Sequence, residues 1–175
     1  FKLPEFMAKM IDNKMLGNKT KQGFYRKEMV DGKKQIFYYD YVSGEYKPLV
    51  KPKFPSIQAV KQVDDPRQRL VAVISGSDQA AEYAWKCLRD TLIYVVNRIP
   101  EIADDALNVD NAMRWGFNWE IGPFEMLDAI GVQRFVKRAS EDGVAVPEVM
   151  RAVESFYRIS EGGRKQYYDL QSGQY

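Results

Sequence analysis

The residues able to do chemistry are few in this chain, and the missing ones matter as much as those present. Its 175 residues include no histidine and a single cysteine, Cys87. Without histidine the chain lacks the commonest general acid–base near neutral pH and the commonest metal ligand. One cysteine makes neither an intramolecular disulfide nor a cysteine-based metal cluster, and such usage fits a reducing, cytoplasmic setting. Asp104, Asp105 and Asp110 crowd one segment and raise the question of a cation site. A calcium loop needs a central glycine and a distal glutamate, and this spacing supplies neither. Loop and helix-start roles are the reading for all three. Neither Gly-x-Gly-x-x-Gly nor Gly-x-x-x-x-Gly-Lys-Ser/Thr occurs, so no dinucleotide or nucleoside triphosphate cradle is encoded. The sequence therefore assigns no catalytic residue and no metal ligand.

The bulk properties fit a folded, soluble chain. Lys and Arg number 26 against 24 Asp and Glu, a net charge of +2, which gives no pull toward nucleic acid or a membrane surface. No apolar run approaches the ~18 residues that span a bilayer. Phe1-Lys2-Leu3-Pro4 reads neither as a signal peptide nor as an initiating segment, and Tyr175 falls inside a strand-like pattern. Both ends read as cuts through a longer chain.

An internal repeat organises the rest. Phe24-Tyr25-Arg26 recurs as Phe156-Tyr157-Arg158. Tyr39-Asp40-Tyr41-Val42-Ser43-Gly44-Glu45-Tyr46 recurs as Tyr168-Asp169-Leu170-Gln171-Ser172-Gly173-Gln174-Tyr175. The offsets are 132 and 129 positions, so the second copy is three residues shorter between the two segments. Each copy reads as a small antiparallel meander, aromatic in its strands and turned at Asp31-Gly32, Ser43-Gly44, Gly162-Gly163 and Ser172-Gly173. Packing on a helical body is the plain role for these aromatics. A stacking platform for single-stranded nucleic acid is the sharper alternative, and the near-neutral charge argues against it.

Between the meanders the apolar period becomes helical. Ala80, Ala81, Ala84, Cys87, Leu88, Thr91, Leu92, Val95, Val96 and Ile99 form the stripe of a long helix over 77–99, with Ser77 as its cap. Asn108 is the expected cap of a helix bearing Val109, Ala112 and Met113. Gly122-Pro123 opens another, with Phe124, Leu127 and Ile130 on its buried face. Further helices carry Val132, Phe135, Val136 and Ala139, then Val149, Met150 and Val153 after Pro147. Pro66 to Ile74 is helical as well. Residues 47–65, with Lys47-Pro48, Lys51-Pro52 and Phe54-Pro55, read as an extended connection.

Two segments carry the most specific pattern. Leu16-Gly17-Asn18-Lys19-Thr20-Lys21-Gln22-Gly23-Phe24-Tyr25 is one. Val109-Asp110-Asn111-Ala112-Met113, continuing to Gly122-Pro123-Phe124-Glu125-Met126-Leu127-Asp128, is the other. Together they resemble the C-terminal domain of the 3-hydroxyacyl-CoA dehydrogenase family, in which the second pattern precedes the first. Here the order is reversed. The resemblance implies the tail of a first C-terminal helical domain (1–48), a linker (49–65) and a second such domain (66–175). The implied fold class is mainly α, a helical dehydrogenase C-terminal domain with two small antiparallel β meanders.

The resemblance also implies a function for the longer protein: NAD-dependent oxidation of 3-hydroxyacyl-CoA in fatty-acid β-oxidation. Fusion to an enoyl-CoA hydratase is known in tandem-copy relatives. The family's histidine–glutamate dyad and its NAD site belong to a nucleotide-binding domain that this sequence lacks. The family's asparagine on the long helix maps near Trp85, and Asn97-Arg98 lies about three turns too late. Lys21 stands where the family has glycine, and the second copy has no Lys-Thr. The implied share of this chain is a wall of the acyl-CoA cleft together with contacts to the nucleotide-binding and first C-terminal domains, or to a second subunit of a homodimer. Lys19 and Thr20 are the candidate substrate-binding residues, with loop-structuring as their plainer role. Trp115, Phe117 and Trp119 read as core or as interface anchors. The alternative from another class is a stand-alone module that binds a partner protein through its aromatic meanders.

Overall fold

The structure, a computed structural model, describes residues 2–175; Phe1, part of the N-terminal segment read above, lies outside them. The chain forms two compact units, meeting in sequence at Pro52 and Lys53. It is mainly helical, with two small antiparallel sheets among the described residues.

The first unit opens with helix α1 (Glu5–Asp12), which no sequence pattern above announces. A short 3-10 turn at Asn18–Thr20 follows. Strands β1 (Tyr25–Val30), β2 (Lys33–Asp40) and β3 (Glu45–Pro48) then pair in the order β1-β2-β3. Asp31 and Gly32 both adopt positive φ, 49° and 73°, the backbone that lets a two-residue turn match the twist of its strands. Phe6 of α1 packs on Phe24 and Tyr41, at 6.4 and 4.9 Å between ring centroids.

The second unit holds α2 (Pro55–Ala59), α3 (Pro66–Ile74), α4 (Gln79–Asn97), α5 (Ala106–Phe117), α6 (Pro123–Ile130), α7 (Val132–Glu141) and α8 (Glu148–Ala152). Strands β4 (Tyr157–Ile159) and β5 (Lys165–Tyr167) close it. Helix α6 is central. Phe124 and Leu127 are fully buried, as are Leu92, Phe135, Met150 and Phe156 around them. The Phe124 and Phe156 rings meet edge to face at 4.8 Å, a favoured aromatic geometry. Trp85 packs on Phe135 at 5.4 Å, lies under the Arg138 guanidinium and donates its indole N–H to Asp142 at 2.6 Å.

Three local expectations are corrected. The long helix is capped by Asp78, whose carboxylate accepts from the Ala81 amide at 3.0 Å, rather than by Ser77. Asp105, not Asn108, caps α5, and the Asn108 amide is its donor at 2.7 Å. In both cases the capping carboxylate makes a charge-assisted bond at the positive end of the helix. The segment read as an extended connection contains α2, with Pro55 at its first position, where a missing N–H costs nothing. Ser56 fixes α2 by donating both its amide and its hydroxyl to Asp78, each at 2.8 Å.

The repeat is structural as well as sequential. Tyr25↔Tyr38, Arg26↔Phe37 and Lys27↔Ile36 in the first meander correspond to Tyr157↔Tyr167, Arg158↔Gln166 and Ile159↔Lys165 in the second. The Tyr39 amide donates to the Phe24 carbonyl at 2.8 Å, as Tyr168 does to Phe156. The Tyr46 hydroxyl donates to the Gly23 carbonyl, and Tyr175 likewise to Ser155. Arg26 sits 4.0 Å over the Tyr46 ring and Arg158 3.8 Å over Tyr175, a cation–π contact in each copy. The missing residues of the second copy come out of the hairpin tip. Its third strand is reduced to a single bridge, Asp169↔Gln174.

Candidate functional site

The densest polar constellation lies at the head of α6. Gly122, its N-cap, has no side chain to offer the first amides of the helix. Asp110 of the neighbouring α5 supplies the acceptor instead. Its Oδ1 takes the Phe124 N–H at 2.8 Å and its Oδ2 the Glu125 N–H at 3.0 Å. The Tyr157 hydroxyl also donates to Asp110 Oδ2, at 2.9 Å. Glu125 turns back to accept the Gly122 N–H at 3.1 Å, the return half of a capping box. A Cβ on Gly122 would fall 2.3 Å from Asp110 Cγ. Only glycine leaves room for the carboxylate there.

The other end of α6 is held in the same way. Asp128, in its last turn, accepts from the Phe156 N–H at 2.6 Å and the Tyr157 N–H at 2.8 Å. Helix α6 is thus clasped by a carboxylate at its head and fastens β4 with a carboxylate at its tail. Asp110 is 1% exposed and Glu125 6%. The negative charge is answered at the rim, where Arg67, Lys165 and Arg114 stand 3.3, 3.6 and 3.8 Å from the Glu125 carboxylate.

Burial raises the Asp110 carboxyl to about 6, against the opposing pull of the Phe124, Tyr157 and Glu125 donors. Burial likewise raises Asp128, with the two amides opposing. The Tyr157 hydroxyl is raised by burial and by the Asp110 charge. These acids accept from the backbone amides of Gly122, Phe124, Glu125, Phe156 and Tyr157. The arrangement suits a structural clasp, and the most specific motif in the sequence is one that builds the fold.

The residues singled out from sequence fall in different places. Thr20 closes its own loop: its hydroxyl accepts from the Leu16 amide at 3.0 Å and donates to the Gln22 carbonyl at 3.0 Å. Lys19 beside it is exposed. Trp115 and Phe117 are 78% and 72% exposed, so the core reading of these two is corrected. They end α5 on its solvent side. Trp119 is half-buried and lines an apolar groove of about 470 Å³ in the second unit, with Leu70, Val73, Leu88 and Met126. Arg69 and Glu120 pair at the edge of that groove. Trp85, at the position corresponding to the family's asparagine, is core. Asp104 is exposed in the loop that leads into α5. Among the described residues no group of three or more His, Cys, Asp or Glu is placed to hold a metal ion. No helix among them is long and apolar enough to cross a membrane.

From the sequence Asp110 carries only a loop or helix-start reading and Asp128 is only a motif letter; that both act as clasps is missed. One signal was available. Asp110 sits among Val109, Ala112 and Met113, an acid inside an apolar stripe, and such an acid must find donors when the stripe is buried.

No protein-family model matches the chain, and no solved structure matches it significantly. Three curated proteins do. Over 174 residues the chain is 37% identical to a protein of Bacillus subtilis (strain 168) named "Probable 3-hydroxyacyl-CoA dehydrogenase"; the match takes in 97% of this chain and 21% of that one. It is 25% identical over 147 residues to a protein of Rickettsia felis, covering 82% of this chain and 19% of the relative. A protein of Rickettsia prowazekii is 24% identical over 149 residues, covering 83% and 19%. Both rickettsial proteins are named for a fatty acid oxidation complex trifunctional enzyme. The chain spans about a fifth of the length of the curated relatives it matches. Along nearly its whole length, the chain is homologous to one segment of a protein named as a probable 3-hydroxyacyl-CoA dehydrogenase, as a C-terminal domain fragment of such a protein would be.

Proposed function

We propose that this chain is the C-terminal helical region of an NAD-dependent 3-hydroxyacyl-CoA dehydrogenase of fatty-acid β-oxidation. The match over 97% of its length carries this reading. The duplicated meander supports its arrangement as the tail of one domain copy (1–48), a linker (49–65) and a second copy (66–175). The role of the region is to wall the acyl-CoA cleft and to supply contacts between domains or subunits of a cytoplasmic enzyme. Lys19, on its Thr20-closed loop, is the candidate for the substrate side. Trp115 and Phe117, large and exposed, are the candidates for the interface, together with Trp119.

The residues present do not fit NAD. Dinucleotide sites use a Gly-rich turn between a parallel strand and a helix. This sequence has no such turn, and both sheets among the described residues are antiparallel. Hydride transfer therefore belongs to residues outside 1–175. The test is direct. The 175-residue chain should show no oxidation of 3-hydroxyacyl-CoA above blank and no heat of NAD binding by calorimetry. The longer protein should show both, and deleting this region should abolish its turnover. Turnover by the 175-residue chain, or an unchanged kcat/KM after deletion, would sink the reading.

A further inference from the structure

The closing meander of the second unit is held on its helices by few contacts, and the polar ones share one chemistry. Strands β4 and β5 have three residues each, too few to be stable alone in water. Ile159, Lys165 and Tyr167 face solvent. Beyond Phe156, only Tyr157, Tyr168 and Leu170 of this meander pack against the apolar core. Among the described residues the polar bonds that tie its strands to the helices all end on acids. The Tyr157 amide donates to Asp128, the Tyr157 hydroxyl to Asp110, and the Lys165 ammonium reaches Glu125.

Those acids are unevenly neutralised. Asp110 and Glu125 are buried and Asp128 is half-buried. Arg67 of α3, Arg114 of α5 and Lys165 of β5 all reach Glu125. Among the described residues no lysine or arginine nitrogen lies within 4.0 Å of Asp110 or Asp128. A buried carboxylate without a cation is costly, and it is relieved by taking up a proton or by meeting water. Lifting the meander opens the second route for Asp110, because it removes the Tyr157 side chain that donates to it. The Asp110 carboxyl, at about 6 while covered, then returns toward its ordinary 3.8. Burial raises Asp128 in the same sense. The seated meander therefore binds more protons than the lifted one between these values. Seating strengthens as pH falls through 6 and weakens as pH rises past it.

We propose that the closing meander, residues 157–175, is a proton-controlled latch: it stays seated on α5 and α6 while Asp110 holds a proton, and it lifts as a unit more often once that proton leaves. Phe156 stays behind as the anchor. Its ring is fully buried against Phe124 and its amide is held by Asp128. Behind it Val153 is buried, and its carbonyl accepts from the Gln133 side chain at 2.6 Å. What parts on lifting is the pair of bonds from Tyr157, the Lys165 contact and the Tyr168 amide bond to the Phe156 carbonyl. The latch does not depend on which reaction the longer protein performs.

Hydrogen exchange of the 175-residue chain tests this, followed amide by amide by NMR at pH 5 and pH 7 and divided by the intrinsic rates. The Tyr157 and Tyr168 amides report the latch, and the Leu92 amide, in the buried face of α4, reports global unfolding. The two tyrosine amides should be less protected than Leu92 at both pH values. Their protection should fall about tenfold from pH 5 to pH 7, the factor set by a carboxyl that moves from 3.8 to about 6 on seating. Asp110→Asn should lose most of that fall. Tyr157→Phe keeps the ring and removes a donor that holds the Asp110 carboxyl down, so the midpoint of the fall at Tyr168 should move above 6. Tyrosine amides as slow as Leu92 would overturn the proposal, since the meander would then open only with the whole unit. Protection that stays level between pH 5 and pH 7, or a full fall retained in Asp110→Asn, overturns it as well. If Asp110→Asn does not fold, an unmoved midpoint in Tyr157→Phe decides against the latch and a raised one upholds it.

Discussion

Changing Asp110 to Asn tests the clasp at the head of α6 most directly. In the native chain this carboxylate accepts from the Phe124 amide, the Glu125 amide and the Tyr157 hydroxyl. Asparagine keeps one acceptor for Phe124 but turns an N–H₂ toward the Glu125 amide, leaving a buried donor facing a donor. Such a loss costs about 1–3 kcal/mol, within the range for removing a helix cap. The pH profile adds a second signature. The folded Asp110 carboxyl lies at about 6, above its ordinary 3.8. The folded state therefore binds more protons than the unfolded state between these values, and stability rises as pH falls through 6. The gain is complete below about 4 and is lost as pH climbs past 6. Between pH 7 and pH 5 it amounts to about 1 kcal/mol.

Urea unfolding followed by tryptophan fluorescence reads this cleanly, because Trp85, Trp115 and Trp119, the chain's three tryptophans, all lie in the second unit. Asp110 should contribute about 1 kcal/mol to the wild type on going from pH 7 to pH 5, while Asp110→Asn should be weaker at pH 7 and lose that share of the slope. A variant as stable as wild type, or with an undiminished slope, would refute the clasp.

Gly122→Ala should cost at least ~2 kcal/mol in the same urea assay, since its new Cβ must displace Asp110 or the α6 backbone. Phe124→Ala should cost ~3–5 kcal/mol as a fully buried aromatic is removed; a loss below ~1 kcal/mol would contradict its place under Phe156. Trp115→Ser with Phe117→Ser should change stability by no more than ~0.5 kcal/mol each, yet weaken subunit or domain association of the longer protein in sedimentation velocity. Thr20→Val should speed hydrogen exchange at Leu16, whose amide loses its acceptor. If Lys19 faces substrate, Lys19→Ala in the longer protein should raise KM while leaving that exchange unchanged.

Much of the fold was legible in the sequence, for identifiable reasons. The α4 stripe from Ala80 to Val96 is long and regular, so periodicity alone places the helix. The meander repeat is legible because Tyr39 and Tyr168 head the same turn chemistry, Asp to Gly, and the structure pairs them bond for bond. Helix starts were harder. Ser77 and Asp78 are adjacent and both cap well on paper; what decides is that Asp78 also holds Ser56, twenty-two positions upstream. The same contact explains why α2 escaped notice among its prolines, since a five-residue helix is held by tertiary bonds rather than by propensity. Trp115 and Phe117 misled because aromatic residues around a glycine resemble core, and nothing local says which side of α5 faces water. The clasp itself was half legible: the motif gave its letters, but the pairing of Asp110 with amides fourteen and fifteen positions on requires the packing of α5 against α6.

The close approach of Gly122 to Asp110 has a consequence for how these sequences diverge. The two positions share one space, with the side chain of one occupying the volume that a side chain on the other would need. A substitution at 122 is tolerated only where 110 has already shrunk, and a shrunken 110 leaves the head of the next helix uncapped. Selection therefore sees the pair as a single character. Among diverging copies of this segment the two should be retained together or lost together, and a copy that has lost both should carry its helix cap on a different residue.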